Sequence, residues 1–355
     1  MKSIALWYEE KKGHTPNKNI ELHINWGKLP KTFCQTIRSG CSWDKKYPFR
    51  RVPGFTRFID FGLMIEDYEN IEFIKFYFPF DFKDSDFQDL GEVIKEVETL
   101  SALFNKNYTV QRSTNLNLYP VAEIDEENNQ NFTFSVYSLK HEFKIEKPEN
   151  AEGTILTLTM PEHEENQPNK LYIRFRLKGK PIRRFCYSEP LSFAFIQSAF
   201  SKASMIDFRM NDLREIDTKI IEHTVNSKKF FNFTTVHFLF IGTSRDENVF
   251  FDQKSVNCRL LEENRWSKYL EGLAYDNGRK VLAYYWISDK VVKNFNILLK
   301  TNSTYIKIKD LLVYLLVVIL IGIVINIFSS ICINSFFGNK NTEIVNSCKC
   351  NEQDV

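Results

Sequence analysis

The chain has 355 residues, 47 basic and 45 acidic side chains, a formal net charge of +2, 43% apolar residues and 32 phenylalanines. The near-balance of charge excludes a globally basic nucleic-acid binder, because any basic surface must be local. The apolar and aromatic content excludes a disordered chain and is enough for one large domain or two small ones.

At the N-terminus, "MKSIALWYEEKKGHTPNK" holds only the short apolar run Ile4 to Trp7. The apolar core of a signal peptide needs about 7–15 residues, so export through a cleaved signal is not expected. Further on, "KKYPFRRVPGFTRF" sets Lys45, Lys46, Arg50, Arg51 and Arg57 among aromatics. Binders of single-stranded nucleic acid use that interleaving, but Phe and Tyr run through the whole chain, so the pattern adds little here.

Two long strands are predicted next, from the period-2 runs "FTRFIDFGLMI" (55–65) and "IEFIKFYFPFDF" (71–82). The acidic segment "DFKDSDFQD" then brings Asp81, Asp84, Asp86 and Asp89 together. It lacks the glycine and terminal glutamate of a calcium loop, and acids at a helix start are favoured by the dipole alone. Phe87, Leu90, Ile94, Val97 and Phe104 fall at helical spacing, which predicts a helix over 86–104 capped by Asp86. "NFTFSVYSL" alternates as a strand, as do "GTILTLTM" (153–160) and "LYIRFRLKG" (171–179). Pro, Glu and Asn concentrate between about 147 and 170 and mark a weak boundary or a surface loop.

The strongest local charge feature is "KLYIRFRLKGKPIRRF", residues 170–185. Alternation sends Ile173, Phe175 and Leu177 to the core and Arg174, Arg176 and Lys178 to the opposite face. Lys180, Arg183 and Arg184 extend the basic run past a turn. Such a row is a candidate site for a phosphate group or another anion; the competing explanation is an exposed face paired with acidic neighbours. Helices are predicted at 192–206, 211–223 and 258–273, and strands at 234–242 and 280–287. Strands outnumber helices and follow one another directly, so the expected fold is α+β with a mainly antiparallel sheet.

"LLVYLLVVILIGIVINIFSSICI", Leu311 to Ile333, contains no charge. At about 1.5 Å per residue it covers about 34 Å, enough for a hydrocarbon core of about 30 Å with modest tilt. It is apolar on every side, whereas a soluble helix shows a stripe. A transmembrane helix at 311–333 is therefore expected, between a domain at 1–305 and a polar tail at 334–355. Lys290, Lys293, Lys300, Lys307 and Lys309 precede the span and only Lys340 and Lys349 follow it. That asymmetry places the large N-terminal part in the cytosol, with the inner membrane of a bacterium as the expected location. Glycosylation sequons at Asn107, Asn131, Asn232 and Asn302 point the other way, at a density that chance explains in an Asn-rich chain. Asn326, with Ser329 and Ser330 near the same level, is placed to hydrogen-bond between spans and so to favour a homo-oligomer.

The seven cysteines (34, 41, 186, 258, 332, 348 and 350) are odd in number and show no CxxC pair, as in a reducing compartment. The six histidines show no metal-site spacing, and no P-loop, GxGxxG, GxSxG or HExxH occurs. Neither a cofactor nor a metal is indicated, and a non-enzyme is favoured. The expected partners are the lipid bilayer and an anionic or phosphate-bearing ligand. Three functions follow from the layout. The leading one is a single-pass anchored sensor or binding module. The second is a membrane-acting effector of an anti-phage or toxin-like system that oligomerises through its span. The third is a tethered enzyme acting on a phosphate-containing substrate.

Overall fold

A computed structural model describes residues 2–13, 16–30, 55–111, 117–124, 130–149, 151–163, 167–187, 201–225, 229–243, 246–251, 257–273, 280–288, 290–304 and 308–348. The chain separates into two compact units, Met1–Pro190 with Lys202–Ser303, and Leu191–Ser201 with Thr304–Val355.

In the first unit the strands are β1 (Ala5–Glu10), β2 (Asn19–Pro30), β3 (Phe55–Glu66), β4 (Ile71–Phe78), β5 (Phe87–Asp89), β6 (Tyr108–Val110), β7 (Leu118–Ile124), β8 (Gln130–Tyr137) and β9 (Phe143–Glu146). They continue as β10 (Thr154–Thr159), β11 (Lys170–Lys178), β12 (Cys186–Tyr187), β13 (Ser201–Met210), β14 (Asn232–Thr243), β15 (Asp246–Phe251), β16 (Asn257–Leu260), β17 (Val281–Ser288) and β18 (Phe295–Thr304). Four helices join them: α1 (Gly91–Ile94), α2 (Val97–Phe104), α3 (Thr218–Val225) and α4 (Glu263–Trp266).

The central sheet runs β16-β17-β14-β2-β3-β11-β8-β7-β6, with β5 also on β11. Most of its pairs are antiparallel; β2 with β14 and β11 with β8 are parallel. Two smaller sheets run β1-β4-β10-β9 and β12-β13-β18-β15. The fold is thus the α+β, mainly antiparallel arrangement that the strand spacing predicts.

Alternation decides which way each central strand faces. Ile20, Leu22, Ile24 and Trp26 of β2 point to one side, with Ile59, Phe61, Leu63 and Ile65 of β3 and Leu171, Ile173, Phe175 and Leu177 of β11. They form one core with Phe76 and Leu156 of the first small sheet and Phe208 and Ile297 of the second. The opposite face of the central sheet carries Phe58, Met64, Tyr172 and Ile241. It packs on Ile94, Leu100, Trp266, Tyr269 and Leu273 from the helices and the turn after α4. Both faces of the central sheet are therefore covered, one by sheets and the other by short helices.

Several predicted elements differ from what forms. The helix expected over 86–104 begins as a 3-10 turn at Asp84–Asp86 and the strand β5, and becomes helical only at Gly91. Phe87 and Asp89 pair with Leu177 and Phe175 of β11, and this ladder overrides the helical spacing. Asp86 caps the 3-10 turn, its carboxylate accepting from the Lys83 N–H at 3.1 Å. The C-terminal part of the helix expected over 192–206 is strand β13, whose 201–206 segment includes pairing with β12; residues 192–200 lie outside the described residues. Within 258–273, the first residues extend β16, and the helix starts at Glu263. Strand β10 lies within 147–170 and pairs with β4 and β9, and β11, which begins at Lys170, pairs with β3.

The second unit contributes one described element, the helix α5 (Ile308–Cys348). Its segment Leu312–Ile333 is long and apolar enough to cross a membrane, and none of it is buried. At 41 residues the helix is about 60 Å long, so it continues well past the apolar segment, through residues read from sequence as a polar tail.

Candidate functional site

The face of the central sheet beneath the helices is where the polar residues converge. Four adjacent strands supply them in register. His237 of β14 sits opposite His23 of β2; His23 is opposite Gly62 of β3; Gly62 is opposite Arg174 of β11. One step along, Asn25 is opposite Asp60, and Asp60 is opposite Arg176. A period of 2 puts Glu21, His23 and Asn25 on this same side, alternating with the core residues of β2.

Gly62 makes the arrangement possible. A Cβ there would lie 2.5 Å from the Tyr172 hydroxyl and 2.9 Å from Arg174 Nη1. Because that volume is empty, Tyr172 and Arg174 reach across β3 toward His23. The Arg174 Nη1 donates to the Tyr172 hydroxyl, which in turn lies 3.3 Å from His23 Nδ1.

Behind this lies a fully buried ion pair. Arg176 grips Asp60 with two nitrogens, Nε to Oδ1 at 2.7 Å and Nη2 to Oδ2 at 3.0 Å. Neither side chain is exposed to solvent. The Tyr269 hydroxyl is the hub of the network: it donates to Asp60 and accepts from Arg174 Nε at 2.8 Å and Asn25 Nδ2 at 3.1 Å. Arg176 Nη1 donates to the Tyr269 carbonyl at 2.9 Å. Charge-assisted bonds of this kind offset the cost of desolvation only when every group is satisfied, and here they nearly are. The exception is Arg174 Nη2, which is buried and has no hydrogen-bond partner among the described residues.

Arg174 lines a cavity of about 800 Å³ between the sheet and the helices. Phe104, Tyr108, Phe134, Trp266 and Tyr285 form much of its wall, with Asn25, Glu21, His23 and His237 on the sheet side. Trp266 Nε1 is a second buried donor without a partner among the described residues. The other cations at the wall are engaged elsewhere. Lys106 pairs with Glu123 at 2.8 Å, Lys170 with Glu66 at 2.6 Å, and Arg259 donates to the Ala102 carbonyl at 3.1 Å.

The two histidine rings are 4.4 Å apart between centroids. His237 Nδ1 bonds to the Tyr285 hydroxyl. Burial, reinforced by His23, pushes the His237 imidazole down to about 4. Burial also lowers His23, against the opposing pull of Glu21. The neighbouring His23 ring holds the Glu21 carboxyl below the ordinary range, against the opposing effect of burial. Burial raises the Tyr172 hydroxyl. Both shifts favour the uncharged imidazole, whose lone pair can ligate a cation.

The basic run read from sequence divides. Arg174 and Arg176 are buried beneath the helices, on the face that alternation assigns them. Lys178 is half-buried at the end of β11, and Lys180, Arg183 and Arg184 are exposed on and beside the 3-10 turn Pro181–Phe185. The run is therefore not one continuous surface. Of the earlier basic cluster, Lys45, Lys46, Arg50 and Arg51 lie outside the described residues. Asp89 serves the backbone, accepting from the Gly91 N–H and the Ser138 hydroxyl. Asn326, Ser329 and Ser330 are exposed along α5.

Asp60, Glu21, His23, Tyr172, His237 and Tyr269 do not stand out as a site in the sequence. A legible signal existed for β2, where "IELHIN" alternates apolar with polar, as "VHFLF" does in part around His237. Nothing local shows that these two strands lie side by side. No protein-family model matches this chain, and no curated protein or solved structure does either.

Proposed function

We propose that this chain is a single-pass, membrane-anchored binding module, with its β-rich body in the cytosol, that takes a small anionic ligand into the cavity beside Arg174. The observation that carries this reading is the Arg174 guanidinium. It is held rigidly by Tyr172 and Tyr269, it is buried, and one of its nitrogens has no partner among the described residues. A buried donor left unpaired costs roughly 1–3 kcal/mol, a cost that a carboxylate or phosphate oxygen would relieve. The aromatic wall suits a planar or apolar group on the same ligand, and the cavity volume falls within the usual range of about 300–1,000 Å³ for small-molecule sites. The lysines before the apolar helix support a cytosolic body.

A thermal melt of the full chain in detergent tests the reading. AMP serves as a probe that joins a phosphate to a planar base, with adenosine and inorganic phosphate as its separate halves and benzoate as a carboxylate. A ligand that binds only the folded state raises the melting temperature. At least one anionic probe is expected to raise it, and Arg174→Met is expected to abolish that shift while still melting cooperatively. If no anion shifts the melt, or the shift survives in Arg174→Met, the cavity is not an anion site.

A further inference from the structure

We infer that Glu21, His23 and His237 form a binding site for a divalent transition metal of the zinc class at the wall of the cavity. The inference goes beyond the anion reading and does not depend on it, because metal uptake needs no organic ligand.

The donor set comes first. One ligand atom from each residue lies within 4.8 Å of the others. Two imidazoles and one carboxylate are a common three-residue set for zinc sites that keep a fourth position open. Donors around a four-coordinate zinc, at bonds of about 2.0–2.1 Å, stand about 3.3 Å apart. The widest separation therefore needs to close by up to about 1.5 Å. His23 Nε2 is already 3.8 Å from a Glu21 carboxylate oxygen.

The backbone supports the set rigidly. Glu21 and His23 are two apart on β2, so both face the same side. His237 is directly opposite His23 on the parallel neighbour β14. All three are in the interior of the central sheet, where strand pairing fixes the spacing between them.

The outer partners are the third argument. Metal-bound histidines characteristically donate the other ring N–H to an oxygen, which orients the ring. Here both Nδ1 atoms face tyrosine hydroxyls, His23 toward Tyr172 and His237 toward Tyr285. With Nδ1 protonated in each ring, both Nε2 lone pairs are left for the ion. His23 Nε2 is buried and has no hydrogen-bond partner among the described residues, so no hydrogen bond competes for it. Glu21 supplies one negative charge, and the soft thiolates that would favour copper(I) are absent from the set. Arg174 reaches the same hydroxyl of Tyr172, so an anion on the open coordination position would have the guanidinium close by.

The test uses the full chain in detergent, stripped with a chelator and titrated with Co²⁺ alone. One equivalent is expected to give the visible bands of four-coordinate cobalt with nitrogen and oxygen ligands, and Zn²⁺ is expected to displace it. His237→Gln and His23→Gln are each expected to weaken Co²⁺ binding at least about a hundredfold, and Tyr285→Phe about tenfold through the lost orientation of His237. The same bands at unchanged affinity in His237→Gln would overturn the site, as would no uptake at all. X-ray absorption of the zinc-loaded wild-type chain needs no variant. Two imidazoles with oxygen are expected; sulfur ligands would place the ion on cysteines and end the proposal. Failure here leaves the AMP, phosphate and benzoate melts standing, and failure there leaves the Co²⁺ titration standing.

Discussion

Asp60 and Arg176 show how much can depend on one pair of residues. Each is fully buried, and each satisfies the other. Removing one partner strands a charge in the interior, which costs about 3–5 kcal/mol. Asp60→Asn is therefore expected to lower the stability of the full chain by about that amount, read as a fall in melting temperature in detergent. Asp60→Leu combined with Arg176→Met removes both charges and is expected to recover about half of the loss or more; a double variant as damaged as the single one would show that the pair itself is not what matters. Alternation along "LYIRFRLKG" correctly tells which way Arg174 and Arg176 face. It does not tell what covers them, because Asp60 is 116 residues away and Tyr269 is 93. A row of arginines looks the same in sequence whether it faces solvent or an ion-pair partner.

Among elements, the long strands were the legible part. Apolar and polar residues alternate over long runs in β11 and most of β3, and β14 keeps the pattern in part. The short elements were not legible. Phe87 to Phe104 has helical spacing, yet its first residues are held as a strand by β11, since pairing with a neighbour outweighs weak local preference. Segment ends depend on caps that are held in place from far away. Asp212 caps the 3-10 turn Leu213–Glu215: its side chain is almost wholly buried and holds Arg214 through bonds at 3.0 and 3.1 Å, while the distant Ser3 hydroxyl accepts from the Asp212 N–H at 3.1 Å. The Arg214 contacts hold the Asp212 carboxyl below its ordinary range. A carboxyl with a depressed folded-state value contributes stability above its unfolded value, and that contribution disappears as pH falls through the folded value. Melting temperature is thus expected to fall below about pH 4, and Asp212→Asn to flatten that acid limb while lowering stability at neutral pH. An acid limb identical in the variant would assign the effect to other carboxylates.

For the molecule as a whole, the apolar helix is what would anchor the proposed binding module. Cutting the chain after Lys309 removes Leu312–Ile333. The full chain is expected in the membrane fraction, resistant to carbonate extraction, and the truncated one in the supernatant; equal extraction of both would deny the helix an anchoring role. A reporter fused after Val355 reads the orientation, with activity on the non-cytosolic side expected from the lysine asymmetry. The span was fully legible, because length and absence of charge are local properties. The candidate site was not, since it exists only where four distant strands come into register.

The parallel pairing of β2 with β14 also bears on how the chain is made. These strands meet over more than two hundred intervening residues, Thr234 bonding to Ile20 across 214 positions. At about 5–20 residues per second of synthesis, β2 waits on the order of ten seconds or more for its neighbour. During that wait β3 protects one side of β2, while the other side presents a row of unpaired amides and carbonyls, an edge open to incorrect pairing. Long-range closure of this kind is slow, so a nascent chain halted before residue 232 would be a hazard to its neighbours, and β14 is the piece that ends the exposure.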